Sequence, residues 1–212
     1  MKYKYVFLLG RPGCGKSALY RELETRLLER GEAQTFERVD DFPKVWAILQ
    51  RDNALEKEGK ERIYSQRTPD GGYIATDYSF LNRILPEVSS DVLQIDKPAH
   101  MIFIEFARPN YVESIQKFDR RILDHCLVVY MEVDFETCWA RNVARGQAAI
   151  AEGGDDHVVG RKTMEEFFLY DDQDALVRYL QDRDIPVRVV NNEADGQEQL
   201  KRRVEELLED LF

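Results

Sequence analysis

The stretch GRPGCGKS, Gly10 to Ser17, follows the apolar run YVFLL and leads directly into ALYRELETRLLER. Glycines and a proline between two regular elements cost local stability, so this junction serves something other than continuity of the chain. Gly10, Gly15, Lys16 and Ser17 satisfy the spacing G-x-x-x-x-G-K-[ST] between a predicted strand and a predicted helix. In that context glycines let successive backbone N–H groups point inward at phosphate oxygens, and the helix N-terminus adds positive potential. The segment Gly10, Arg11, Pro12, Gly13, Cys14, Gly15, Lys16, Ser17 and Ala18 therefore reads as a cradle for a triphosphate. Lys16 reaches the β and γ phosphates, and the Ser17 hydroxyl is a ligand for Mg²⁺.

Periodicity supplies the frame around this loop. Leu19, Leu23 and Leu27 recur every four residues, an apolar helix stripe that stops at Gly31. A second strand, AQTFERV, leads into DDFP, so the order strand, glycine turn, helix, strand predicts a right-handed βαβ unit. PAHMIFIEF, CLVVYMEV and IPVRVVNN are short continuous apolar runs of the kind that central parallel strands show. Helical patterns separate them: YVESIQKFDRRILD, FETCWARNVARG and RKTMEEFFLYDDQDALVRYLQDR, with GQEQLKRRVEELLEDLF closing the chain. The expectation is one α/β domain over residues 1–212. Residues 43–98 are longer than a crossover needs; RIYSQRT, PDGG and YIATDYS pattern a hairpin, followed by a helix through FLNRIL. That interval is an insertion, either a packing extension or the acceptor-binding part of an enzyme.

Several classes are excluded by what is missing. The longest apolar runs fall well short of the roughly 18 residues that span a bilayer, and no leader pattern opens the chain, so a soluble cytoplasmic protein is expected. Cys14, Cys126 and Cys138 have no metal-ligand spacing and fit a reducing compartment. A formal charge of −10 argues against broad non-specific binding to nucleic acid, though not against a small phosphorylated ligand. No N-K-x-D element follows a later strand, as switch GTPases require. The third strand ends in IEF rather than in the Asp-Glu run of large motor ATPases.

Asp40 and Asp41 end the second strand in VDDFP. A carboxylate there opens into the ligand crevice and can orient or deprotonate an acceptor hydroxyl; the other account is a turn or helix cap before Pro43. Glu105 ends the third strand, where an acid either holds the water shell of Mg²⁺ or touches substrate, and Arg108 suits an acceptor phosphate or hydroxyl. Arg141 and Arg145 share a helix face, which suits a transferring phosphoryl group, or else a solvated basic face. The Gly- and Ala-rich segment that follows, with Arg161 on its far side, marks residues 141–165 as a lid over ATP. His157 sits beside two acids without a second ligand at metal spacing; His100 and His125 fit packing or surface positions. Trp46 and Trp139 either stack on a base or serve a core.

The order of P-loop, helix, strand ending in acid, insertion, two strands and an Arg-rich helix resembles the P-loop kinases related to adenylate kinase. Within these it is most similar to kinases of the gluconate, adenylylsulfate, zeta-toxin and polynucleotide kinase type. The likeness covers most of the chain as architecture, and the P-loop is its specific motif. It implies a three-layer α/β fold with a five-stranded parallel sheet ordered 2-3-1-4-5, an insertion after strand 2, and a lid. It makes Asp41 the first choice of the acid pair and strengthens the phosphoryl reading of Arg141 and Arg145. Asn191 and Asn192 fall where related kinases meet adenine, an ordinary turn being the other account. The implied activity is ATP- and Mg²⁺-dependent phosphotransfer to a small molecule, nucleoside or nucleotide. The alternatives are a polynucleotide 5′-hydroxyl kinase, a regulatory nucleotide-binding module without phosphotransfer, and a simple ATPase.

Overall fold

Every residue of β1 (Tyr5–Leu9) is buried, and the strand lies in the middle of the sheet. A strand with no polar face needs cover on both sides. Val6 and Leu8 pack with Leu19, Leu23 and Leu27 of α1 (Lys16–Arg30) and with Val204, Leu207 and Leu208 of α10 (Gln197–Leu211). Tyr5, Phe7 and Leu9 turn the other way, onto Leu85, Val88 and Val92 of α4 (Leu85–Gln94) and onto Leu176 and Leu180 of α9 (Gln173–Gln181). The period of two along one strand thus builds the two apolar clusters of a three-layer α/β fold. The computed structural model describes residues 2–31, 35–67, 73–76, 78–95, 100–151, 159–194 and 196–211.

The remaining strands of the sheet are β2 (Thr35–Asp40), β5 (His100–Glu105), β6 (Cys126–Glu132) and β7 (Val187–Asn191). All pair in parallel, in the order β2-β5-β1-β6-β7. This numbering differs from 2-3-1-4-5 because the insertion contributes two strands of its own, β3 (Ser65–Arg67) and β4 (Tyr73–Ala75); counting only the strands of the large sheet, the order reads 2-3-1-4-5. Register pairs Glu105 with both Leu8 and Asp40, so the acids of β2 and β5 stand level with the end of β1, where the loop begins.

The insertion pairs Ser65 with Ala75 and Arg67 with Tyr73 antiparallel, while PDGG lies outside the described residues. Before the hairpin runs α2 (Phe42–Lys57), a helix that no apolar stripe announced, because Asp52 is its one buried residue. After it come α3 (Ser79–Arg83) and α4. Two expected single helices are each broken. YVESIQKFDRRILD forms α5 (Tyr111–Ile115) and α6 (Arg120–Leu123), because the Asp119 carboxylate accepts the Arg121 N–H and starts the second. The stretch from Arg161 forms α8 (Arg161–Phe168) and α9; between them, the Asp172 carboxylate leaves the helical path to accept from the N–H groups of Tyr111 and Val112. α7 (Phe135–Ala151) carries the first part of the expected lid, and residues 152–158, with His157, lie outside the described residues. Among the described residues no helix is long and apolar enough to cross a membrane.

Asp52 holds the insertion together. Its carboxylate accepts from the N–H groups of Ile63, Tyr64 and Ser65 at 2.7–2.9 Å and from Ser65 Oγ at 2.8 Å. Burial alone would raise its pKa, but these donors outweigh it and hold the group below the usual aspartate value. The stability it contributes is therefore present above about pH 3.9 and lost as pH falls through the folded-state value. Asp52→Ala strips all of these bonds at once, and urea unfolding at pH 7 should show a loss of about 3 kcal/mol. A loss below about 1 kcal/mol would mean that the hairpin does not depend on this carboxylate.

Candidate active site

Gly10, Gly13 and Gly15 have φ of 132°, 85° and 103°, a region that side chains disfavour. Contact closes the question at all three, since a Cβ on Gly10 would stand 2.7 Å from the Met131 carbonyl oxygen. A Cβ on Gly13 would stand 2.2 Å from the Cys138 carbonyl oxygen, and one on Gly15 2.4 Å from Asn192 Nδ2. The loop is further pinned by the Gly10 N–H, which donates to the Tyr111 hydroxyl at 3.0 Å, and by Asn192 Nδ2, which donates to the Cys14 carbonyl at 2.8 Å. Arg203 in turn donates to Asn192 Oδ1. Asn192, not Asn191, therefore faces the loop. Asn191 is exposed and its Oδ1 accepts from the Glu193 N–H at 3.1 Å, since neighbours at a strand end point to opposite sides.

Lys16 is buried and lies across the loop, its Nζ donating to the carbonyls of Gly10 at 2.7 Å and Arg11 at 2.9 Å. Burial pushes the neighbouring Cys14 thiol up, with the Lys16 charge opposing. Arg11 contributes its backbone to the loop but sends its side chain elsewhere. Its Nε donates to the Phe168 carbonyl at 2.8 Å, and its Nη2 stands 3.2 Å from Asp171, which also accepts from the Tyr130 hydroxyl at 2.5 Å. The loop is thereby tied to the α8–α9 junction.

The two aspartates after β2 divide. Asp40 takes the turn role: Oδ1 accepts the Phe42 N–H at 2.8 Å and Oδ2 meets Arg38 at 3.0 Å. Asp41 is buried, makes no cap with its side chain, and stands 2.6 Å from Arg108 Nη2. Burial raises the Asp41 pKa and the Arg108 guanidinium opposes the rise without cancelling it. Arg108 also donates to the carbonyls of Leu81 and Ala107 at 2.6 and 2.7 Å. It does not line the cleft, so the substrate contact expected of it is replaced by a clamp on Asp41.

Arg38 was missed by the sequence reading and stands at the centre. Its Nη2 lies 2.8 Å from Glu105 Oε2, 3.0 Å from Asp40 Oδ2 and 3.3 Å from Ser17 Oγ. The available signal was its position two before Asp40 on a strand, which puts both on one face. One nitrogen reaches both Ser17 and Glu105, so hydroxyl and carboxylate face the same point, and hard oxygen donors of this kind fit Mg²⁺ in their chemistry. Burial raises the Glu105 pKa, opposed by Lys16 and Arg38. Among the described residues no group of three or more His, Cys, Asp and Glu could hold a metal alone. An ion here would draw its remaining ligands from phosphate and water.

On the opposite flank Arg141 donates to the carbonyls of Asn192 and Glu193, both at 2.9 Å, and Arg145 reaches Asn142 Oδ1 at 3.5 Å. Both line the cleft, whereas Arg161 does not: it pairs with Glu136 and Glu165 and lies over the Trp139 ring. The cleft has a volume of about 720 Å³ and runs from Phe42 and Trp46 past the loop, including Pro12 and Ala18, to Arg141 and Arg145. Lys16, Arg21, Arg38, Arg141 and Arg145 oppose Asp40, Asp41 and Glu105 on its walls, a local excess of positive charge in a chain of net charge −10.

No family model matches the chain, and no curated protein matches it. Solved structures do. *Mycobacterium tuberculosis* APS kinase CysC in complex with AMPPNP and APS aligns over 99% of this chain and 98% of its own, at 14% identity and a TM-score of 0.52. *Chaetomium thermophilum* Kti12 in complex with ADP-AlF3 aligns over 97% of each chain, at 15% identity and 0.56. A gluconokinase from *Sinorhizobium meliloti* covers 99% of this chain and 95% of its own, at 12% identity and 0.50. At such identities the likeness is one of architecture, and the resemblance read from the sequence holds at that level. With its parallel sheet and the glycine loop between β1 and α1, the chain has the P-loop kinase fold.

Proposed function

We propose that the protein is an ATP-dependent, Mg²⁺-requiring phosphotransferase acting on a small molecule or nucleotide. The observation that carries this reading is Asp41, a buried carboxylate that lines the phosphate cleft and is aimed by Arg108. A sensor that transfers no phosphate has no need of an oriented acid beside the loop, and a simple ATPase is told apart by phosphate release without any acceptor. The loop N–H groups and Lys16 bind the β and γ phosphates. Asp41 accepts the proton of an acceptor hydroxyl as its oxygen bonds to the γ phosphorus; the bridging β–γ P–O bond breaks, and ADP leaves with the electron pair. Ser17 and Glu105 are the residues that would hold Mg²⁺, which when bound would offset the charge of the phosphates. Arg141 and Arg145 lie on the wall where they can balance charge on the transferred group.

Residues 43–98 form the acceptor side in this reading, and 141–165 the lid. Tyr78 of the insertion stacks at 4.0 Å and 17° on Phe167 of α8, the helix on which the lid ends. The test is ADP production from Mg·ATP with pooled nucleosides, nucleotides, sugars and 5′-hydroxyl oligonucleotides. Stimulation by one pool, lost in Lys16→Ala, supports the kinase. ATP binding with no stimulation by any pool would retire it in favour of a regulatory module.

A further inference from the structure

We infer that the acceptor is a planar aromatic molecule that carries, besides the hydroxyl that reacts, its own anionic group, of the nucleoside monophosphate kind, held by Phe42, Trp46 and Arg21. This rests on the phosphotransferase reading and names the substrate class of the same cleft.

The sheet order separates two flanks around the loop. On the β7 side stand Asn192, which donates to the Cys14 carbonyl, and Arg141, which donates to the Asn192 and Glu193 carbonyls; on the β2 side stand the carboxylates Asp40 and Asp41. Acids that accept a proton belong beside the acceptor, so the β2 side is where it binds. That side carries a shelf of rings. Phe42 is the first residue of α2, is 39% exposed, and lies one helical turn before Trp46 on the same face. Their centroids are 6.3 Å apart at 22°, and Trp46 is braced edge-on by Tyr73 of the hairpin at 6.4 Å and 79°. More than a third of Phe42 stays exposed beside the buried acid, and a flat ring laid on it would cover that apolar surface.

A cation completes the set. Arg21 is exposed, lines the cleft one turn after Ser17 on α1, and makes no ion pair among the described residues. Arg38, by contrast, is committed to Asp40 and Glu105. An unmatched guanidinium near a ring shelf selects a ligand that is both flat and anionic. A sugar acid would meet the cation and leave the rings bare; a nucleoside would do the reverse.

The chain has two tryptophans, so Trp139→Phe leaves Trp46 as the sole reporter. In that protein, with AMPPNP and Mg²⁺ added first, fluorescence is titrated with AMP, UMP, adenosine, inorganic phosphate, gluconate and a 5′-hydroxyl dinucleotide. Both monophosphates should quench Trp46 at concentrations at least about tenfold below adenosine or phosphate, with gluconate silent. Phe42→Ala and Arg21→Gln should each weaken monophosphate binding about tenfold or more, while AMPPNP affinity by calorimetry stays unchanged. Gluconate binding as well as the monophosphates, indifference to Phe42→Ala, or exclusion of the monophosphates by AMPPNP would each overturn the assignment. Preference for the dinucleotide would overturn its small-molecule form. Because binding is read apart from turnover, the two readings fail separately. Ring anions that bind at Trp46 without phosphoryl transfer remove the kinase and leave the pocket; transfer to gluconate with no Trp46 response does the converse.

Discussion

Lys16→Ala is expected to lower turnover by about 10³-fold or more while leaving the fold in place. The ammonium is buried and spans two loop carbonyls, and in the proposed reading it is the fixed charge that the β and γ phosphates meet. Losing one preorganised donor to developing charge costs about 10²–10³ in rate, and a full charge in a partly dry cleft exceeds that, on the order of 4 kcal/mol of barrier. Stability should suffer much less, because Tyr111 and Asn192 still hold the loop from either side. A melting-temperature change of a few degrees corresponds to about 1 kcal/mol in a chain of this size. Retained turnover would sink the assignment of the loop. A collapse of the melting temperature would show that the lysine is structural.

Arg108→Ala is the substitution with the largest expected effect on stability, about 3–5 kcal/mol at neutral pH, because it strands the buried Asp41 carboxylate. The pH dependence separates this from a packing defect. The Asp41 pKa is already raised by burial, and removal of Arg108 raises it further. A carboxyl group with a raised folded-state pKa contributes stability below the unfolded value of about 3.9 and loses it as pH rises through the folded value. The variant should therefore unfold in urea much like the wild type near pH 4 and far more easily near pH 7.5. Adding Asp41→Asn should restore part of the loss at pH 7.5. An equal deficit at both pH values would assign the effect to lost packing on Leu81.

The same geometry bears on activity. An acceptor base must be ionised, so the acid limb of kcat should lie above the ordinary aspartate range, and Asp41→Asn should lower kcat with ATP affinity retained. If Asp41→Asn turned over like the wild type, the acid would be a structural partner of Arg108 alone.

What could be read from the chain follows the range of the forces involved. The glycine loop, the βαβ unit and the buried strands were legible because each depends on neighbours a few residues apart: a positive φ, a leucine every fourth residue, an apolar run. α2 escaped notice because it buries little besides Asp52, and two long helical patterns each split where Asp119 and Asp172 spend their carboxylates on backbone N–H groups. Around the site, residue types were legible and their partners were not. Arg108 is of the residue type of an anion contact, yet Asp41, brought to it by the parallel register of β2 and β5, and the Leu81 carbonyl of α3 take its donors. Asn191 and Asn192 look alike in sequence, and only the strand end pointing one of them at Cys14, 178 positions away, separates them.

The sequence by itself determined that a glycine loop of the phosphate-binding pattern joins a buried strand to an amphipathic helix, since local sterics and backbone amides suffice for that. Tertiary structure alone decided which acid is buried, which arginine holds it, and which cation lies between Ser17 and Glu105. Those choices depend on how the ends of β2, β5 and β7 are brought level beside the loop, and charge pairing in a low-dielectric cleft is set by distances that no local spacing contains.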